Sequence, residues 1–201
     1  MPDWDDDGPR LRQNLTGVLR EIRNAVRRRD KLTLAQAREW HRATMKGLTV
    51  PHREYVGGFR GEVGKLKNCR VLIGSAEGVP PNSVAGELKA FETRLRRVVN
   101  ELDKLYKPDA ELDADGLSSV LEVAAWTHSQ WVRIHPFANG SGRTARLWAN
   151  AILMRYGVPP VVRLRPRPDA GYAAATANAM QDDWIPTLIA FQEMLRQHLK
   201  K

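Results

Sequence analysis

The chain has 201 residues, 42% hydrophobic and 27% charged, with a formal net charge of +9 at pH 7, which predicts one soluble globular domain with a sizeable core. No apolar run approaches the ~18 residues of a membrane span, and the acidic opening Met1 to Asp7 lacks the apolar stretch of a secretory signal, so a cytoplasmic place is expected. The lone Cys69 excludes an intramolecular disulfide, and the basic excess is spread along most helices without stacking aromatics or zinc ligands, which reads as a solvated surface and not a nucleic-acid interface.

Residues 1–10 read as a flexible arm, and 11–201 as a single mostly helical domain. Leu11, Leu15, Val18, Leu19, Ile22 and Val26 recur at helical spacing, with Arg27-Arg28-Arg29 compensating the negative end of that helix. Thr33 and Gln36 form a capping box for the next helix, whose apolar face carries Leu34, Ala37, Trp40, Met45 and Leu48; His41 lies among them and reads as core. Glycines and prolines then cluster over residues 49–80. Tyr55-Val56 and Val71-Leu72-Ile73 flank a polar loop, which fits either a short β-hairpin or an irregular surface loop.

A helix is predicted from Asn82 or Ser83, with a stripe of Val84, Leu88, Phe91, Leu95, Val98, Leu102 and Leu105. A polar connector leads to a central helix, about Asp115 to Ile134, apolar over most of its surface; His128 faces its packed side and reads as core. A further helix runs from Arg143 to Tyr156 and stops at Gly157 and Pro159-Pro160. The basic run Arg163 to Pro168 reads as a solvated loop. Asp169 is placed to cap a helix through Tyr172 and Met180, and Pro186 opens the last one.

Between the central helix and its successor lies Ile134-His135-Pro136-Phe137-Ala138-Asn139-Gly140-Ser141-Gly142-Arg143-Thr144-Ala145-Arg146. Gly140 and Gly142 let the backbone curl so that several N–H groups converge at a helix N-terminus, an arrangement that binds phosphate. Arg143 and Arg146, three residues apart, share a face and add charge-assisted donors. His135 sits at the lip as a candidate general base. A P-loop reading fails, because its first glycine would fall at Phe137 and Arg143 stands where the lysine belongs.

This stretch resembles the Fic (Fic/Doc) family pattern His-Pro-Phe-x-Asp/Glu-Gly-Asn-Gly-Arg-x-x-Arg. It matches at His135, Pro136, Phe137, Gly140, Gly142, Arg143 and Arg146, and departs at Asn139 and Ser141. Gly58-Phe59-Arg60, Val71-Leu72-Ile73-Gly74 and Pro80-Pro81 look like the family's flap, and the run from Gly171 to Phe191 looks like its C-terminal part, so the resemblance covers about residues 32 to 193. It implies an all-α fold with a short β-hairpin flap at about 55–75 over an active-site loop at 135–146. It implies a protein adenylyltransferase that moves AMP from ATP to a Tyr, Thr or Ser hydroxyl of a target protein.

Carried over residue by residue, the resemblance makes His135 the general base, with an ordinary imidazole pKa of ~6.5 sufficing. Gly140, Ser141 and Gly142 hold the α- and β-phosphates, Arg143 the β- and Arg146 the γ-phosphate. Asn139 stands where the family's acid binds Mg²⁺; its amide oxygen is a weaker ligand without charge. Gly58, Phe59 and Arg60 fall to the flap that docks an extended target segment by strand addition. The family's inhibitory pattern Ser/Thr-x-x-x-Glu-Gly/Asn is missing: Ser83 to Glu87 has the spacing, but Leu88 follows. A separate antitoxin-like inhibitor is one expectation, absence of restraint the other, and action inside another cell's cytosol is a further option. The two departures leave open a Fic transferase with another phosphate-containing donor, and a degenerate module that binds nucleotide or peptide without turnover.

Overall fold

A computed structural model describes residues 4, 8–73, 76–108 and 110–200, the side chain of Ala170 excepted. Among them are seven helices: α1 (Pro9–Arg27), α2 (Leu34–Met45), α3 (Pro81–Leu105), α4 (Ala114–Ile134), α5 (Ser141–Arg155), α6 (Ala170–Ala179) and α7 (Ile185–Leu199). The strands are β1 (Leu72–Ile73) and β2 (Ala76–Glu77), paired antiparallel with Leu72 opposite Glu77 and Ile73 opposite Ala76. No helix among the described residues is long and apolar enough to cross a membrane. The fold is all-α with one hairpin, as the resemblance implied.

The most extensive helix contact is between α4 and α5, with α1 and α7 packed against them. Twelve of the residues of α4 and thirteen of those of α5 are buried, so these two helices form the centre rather than a surface layer. Trp131 and Trp148 meet there at 5.6 Å between ring centroids, with Phe91 of α3 against both. The capping box on α2 forms as expected from Thr33 and Gln36. α4 is capped by Asp113, whose Oδ1 accepts from Gly116 N–H at 2.7 Å. Asp169 sits at the cap of α6 but makes no cap bond; its carboxylate accepts from Arg163 instead.

The buried stripe of α3 is Val84, Leu88, Phe91, Leu95, Val99 and Leu102, while Leu105 is 70% exposed. The expectation of Val98 and Leu105 came from strictly alternating steps of four and three. That pattern repeats every 3.5 residues, and a straight helix drifts from it by about 20° per heptad, enough to exchange Val98 for Val99 within two heptads.

The hairpin lies later in the chain than expected. Arg53–Tyr55 is a 3₁₀ turn, not a strand, and β1 pairs with Ala76–Glu77 across residues 74 and 75, which lie outside the described residues. The arm also ends earlier, since α1 opens at Pro9. Of that arm only Trp4 and Gly8–Arg10 fall among the described residues; Trp4 stacks on Tyr55 at 5.7 Å.

Candidate active site

The sequence ends α4 and starts α5 with two left-handed residues. His135 caps α4 at φ 50° and ψ 58°, a conformation that costs a non-glycine residue about 1 kcal/mol or more and persists only where the surroundings hold it. They do. Its N–H donates to the Trp131 carbonyl at 3.0 Å, and its carbonyl accepts from Arg60 Nε at 2.6 Å. Pro136 excludes the α region for the residue before it, so the helix must stop here. Gly140 caps α5 at φ 83°, a conformation that strains any side chain, and a Cβ there would also crowd Met45 Cε, Arg143 Nη2 and His41 Nε2 at 3.0–3.1 Å.

The loop between them is pinned from inside. Phe137 is fully buried and stacks on His41 at 3.9 Å, which anchors the loop in the core. Ser141 Oγ accepts from Phe137 N–H at 3.0 Å and donates to the Phe137 carbonyl at 3.2 Å, so its hydroxyl is used within the loop and does not stand in for a phosphate donor. What Ser141, Gly142 and Arg143 leave at the N-terminus of α5 is their backbone N–H groups, which have no intrahelical acceptor.

His41 is the residue that periodicity undervalued. It is buried, as expected, but its Nδ1 accepts from Gly57 N–H at 2.9 Å, which puts its proton on Nε2 to donate to the Asn139 carbonyl at 2.9 Å. Burial lowers its pKa to about 4, against the Asn139 bond and with Arg143 and Arg42 adding, so the ring stays neutral and holds the loop in that tautomer.

His135, Asn139, Gly140, Ser141, Gly142, Arg143 and Arg146 all border one cavity of about 620 Å³. Burial, and secondarily Arg60, lower the half-buried His135 to about pKa 4 against the Val132 carbonyl, so it is a tuned imidazole and not the ordinary one expected. Its Nδ1 lies 3.2 Å from that carbonyl; donating there leaves the Nε2 lone pair to take a proton. Arg143 donates to the Trp4 carbonyl at 2.8 Å and to Asn139 Oδ1 at 2.5 Å. Arg146 makes two longer bonds, 3.3 Å to Tyr172 Oη and 3.3 Å to the Leu164 carbonyl. Tyr172 Oη is in turn 2.7 Å from Nε2 of the fully buried His128, whose pKa burial and then Arg146 and Arg167 lower to about 3. His128 is thus a hydrogen-bonded core histidine, as expected, that also steadies the arginine.

Three further arginines border the same cavity: Arg70 beside the hairpin, and Arg165 and Arg167 from the basic run that was expected to be solvated. No carboxylate of a described residue does, and no group of three His, Cys, Asp or Glu side chains fit for a metal occurs among the described residues. Asn139 Oδ1 is already taken by Arg143. Mg²⁺ keeps one or two carboxylates in typical nucleotide sites. The described donor set therefore does not fit a protein-held Mg²⁺, and the expectation of Asn139 as its ligand does not stand on this geometry.

Gly58, Phe59 and Arg60 are not a docking surface. Phe59 and Arg60 are buried, because the segment packs against the loop that follows α4. Phe59 packs on Phe137 and Trp131. Arg60 spreads its guanidinium over four carbonyls: His135 at 2.6 Å, Ile134 at 2.9 Å, Val79 at 2.8 Å and Cys69 at 3.1 Å. Its backbone N–H donates to Pro136 at 2.7 Å. Cys69 and Val79 flank the hairpin, and Ile134 and His135 end α4, so one side chain fastens the hairpin's base to the histidine. The segment that overhangs the cavity is Arg70 to Ile73, with Leu72 75% exposed.

His135, the N-terminus of α5 and five arginines thus border one cavity of a helical fold. Residues 31–153 match the Fic/DOC family, and the chain belongs to it. A protein adenylyltransferase Fic of Nematostella vectensis is 34% identical over 120 residues, which is 59% of this chain and 25% of the relative. Protein adenylyltransferase fic-1 of Caenorhabditis briggsae is 32% identical over 127 residues, 63% of this chain and 22% of the relative. The chain thus matches a quarter or less of these relatives' length. Among solved structures, Fic-1 (residues 134–508) of Caenorhabditis elegans superposes with a TM-score of 0.68 at 23% identity, covering 98% of this chain and 52% of that one. The BepC effector of Bartonella tribocorum with bound AMPPNP gives 0.62 at 16% identity, covering 96% and 90%.

Proposed function

We propose that the chain is a protein adenylyltransferase that moves AMP from ATP to a hydroxyl of a target protein. The observation that carries this is the cavity that gathers neutral His135, the N-terminus of α5, Arg143 and Arg146. The relatives named protein adenylyltransferase support the same reading.

ATP lays its phosphates along the N-terminus of α5, where Ser141, Gly142 and Arg143 N–H groups and the helix dipole meet them. Arg143 exchanges the Trp4 carbonyl and Asn139 for phosphate oxygens, and Arg146 gives up two long bonds for shorter charged ones. The target hydroxyl attacks the α-phosphorus while its proton passes to His135 Nε2. The new P–O bond replaces the bond to the β-phosphate bridging oxygen, and pyrophosphate leaves into the field of the arginines. Arg70, Arg165 and Arg167 add positive charge to a cavity in which no described carboxylate would hold a metal. The target strand docks along Arg70 to Ile73, using backbone donors and acceptors.

A second reading rests on Asn139 and Ser141, whose side chains are spent inside the loop: a module that binds nucleotide, or takes another phosphate-containing donor. Label transfer from α-³²P-ATP and γ-³²P-ATP in a lysate, comparing the wild type with His135→Ala, separates them. Label from the α-phosphate only, and only with His135 present, is the expected result. Label from the γ-phosphate makes the chain a phosphotransferase. No label from either, with ATP still bound by calorimetry, overturns the transferase reading in favour of binding without turnover.

A further inference from the structure

α5 runs about 20 Å from the phosphate loop to its far end, where a second cavity of about 560 Å³ opens between the C-termini of α1, α3 and α5. That is within the size range of small-molecule sites. Its floor is fixed by a knot of charges. Asp103 accepts from Arg155 Nε at 3.1 Å and Nη2 at 2.6 Å, from Tyr156 Oη at 3.0 Å and from Arg29 Nη1. Burial pushes the Asp103 carboxyl up, but Arg155, Tyr156 and Arg29 outweigh it and hold it ionised. Arg155 also caps the Asp30 and Arg29 carbonyls, and Arg29 lies over the Tyr156 ring.

The rim is different. Arg23, Arg27 and Lys107 border the cavity, and none of their side chains bonds or pairs with a described residue. The bland explanation is compensation of three helix C-termini, each worth about half a negative charge. It does not suffice. Five cations against Asp103 and three helix ends leave an excess of roughly two and a half charges, and still about one and a half if Asp109, outside the described residues, is counted against them. Beside the cations stand Tyr106, Met154, Val158 and the Pro159-Pro160 wall, which offer an apolar and aromatic face.

We propose that this distal cavity binds a small phosphate-bearing ligand that carries an aromatic or apolar group. The phosphate lies against Arg23, Arg27 and Lys107, and the apolar part against Tyr106 and the proline wall. The knot around Asp103 keeps the floor rigid, so binding does not have to order it. The site is separate from the one bordered by His135, and stands whether or not that site transfers AMP.

The test is amide NMR of the ¹⁵N-labelled full chain, titrated with 1-naphthyl phosphate, inorganic phosphate or an oligo-glutamate peptide. Saturable shifts at Lys107, Gly157 and Val158 with naphthyl phosphate, at lower concentration than with inorganic phosphate, are expected. The exposed pair Arg23→Gln and Arg27→Gln should raise that Kd about tenfold and leave any shifts at Gly140 and Gly142 unchanged. Unsaturable shifts, equal affinity for naphthyl and inorganic phosphate, or shifts indifferent to the two substitutions would reduce the cavity to a solvated basic surface. Tighter binding of the acidic peptide would replace the small ligand with a protein partner and overturn the proposal.

Discussion

Replacing Arg60 by Met keeps the length of the side chain and removes every donor. The guanidinium makes four bonds to buried or half-buried carbonyls and is 1% exposed. A hydrogen bond to a charged group contributes about 1.5–3 kcal/mol net. At the lower figure the four sum to about 6 kcal/mol. His135 borders the active-site cavity, so water can reach its carbonyl and soften the loss to about 3–5 kcal/mol. That is a large part of a typical domain's 5–15 kcal/mol, yet leaves a folded population. Lysine keeps the charge but cannot span four carbonyls with one ammonium, and should lose about 2 kcal/mol. Urea unfolding followed by tryptophan fluorescence gives these differences. Hydrogen exchange adds the positional readout: the Gly78 N–H, bonded to Val71 at the hairpin's base, should lose protection in Arg60→Met before the amides of α4 do. A loss below about 1 kcal/mol, or equal loss of protection in hairpin and α4, would mean that Arg60 is an ordinary core cation and not the fastener between hairpin and histidine.

Nucleotide affinity of the wild type should be nearly unchanged by a chelator, while Asn139→Asp should gain about tenfold in the presence of Mg²⁺; calorimetry decides, and a large loss on chelation of the wild type refutes the charge argument. The acid limb of kcat/KM should fall near pH 4, where His135 gains its proton, rather than near the ordinary imidazole value; a limb at about 6.5 would mean a solvated ring. His41, His128 and His135, with folded pKa values of about 4, about 3 and about 4, bind protons more readily once unfolded. Their stabilisation is present above about pH 6.5 and is lost as pH falls through their folded values, so stability should drop by about 5–6 kcal/mol between about pH 7 and about pH 5. A flat profile in urea melts refutes this. Trp4→Ala removes a stack worth about 0.5–1.5 kcal/mol that keeps the Trp4 carbonyl on Arg143, so nucleotide should bind about threefold or more tightly; weaker binding would make the arm part of the site.

What could be read in the sequence was whatever local rules determine. Helix periodicity gave all seven helices, and the Thr33–Gln36 box and the proline at the start of α7 marked their ends. The loop between α4 and α5 was legible as the place where glycines and arginines gather, and they do border one cavity. The hairpin was misplaced because two-residue strands leave no alternation to count, and Tyr55-Val56 is as apolar as Val71-Leu72. Arg60 and His41 were invisible for a different reason. Their partners are backbone carbonyls 9 to 98 residues away, and a carbonyl has no sequence signature.

That blindness bears on where the chemistry of this site resides. The residues the motif exposes, His135 and the two arginines, border the cavity, but nothing in the motif fixes their geometry. The left-handed turn at His135 is held by Arg60 from the glycine-rich segment, Asn139 by His41 from α2, and Arg146 by Tyr172 and His128 from α6 and α4. Each of these supports is buried, and each histidine among them is kept neutral by that burial. A charged His41 would have to donate from Nδ1, and would meet the Gly57 N–H that now donates to it. Protonation of His41 therefore releases the Gly57 N–H, while Nε2 goes on donating to the Asn139 carbonyl. The glycine-rich segment should loosen at Gly57 as pH falls through about 4 while the loop stays tied at Asn139, and a His41→Gln variant, which keeps one acceptor and one donor, should show no such acid step in hydrogen exchange at the Gly57 N–H.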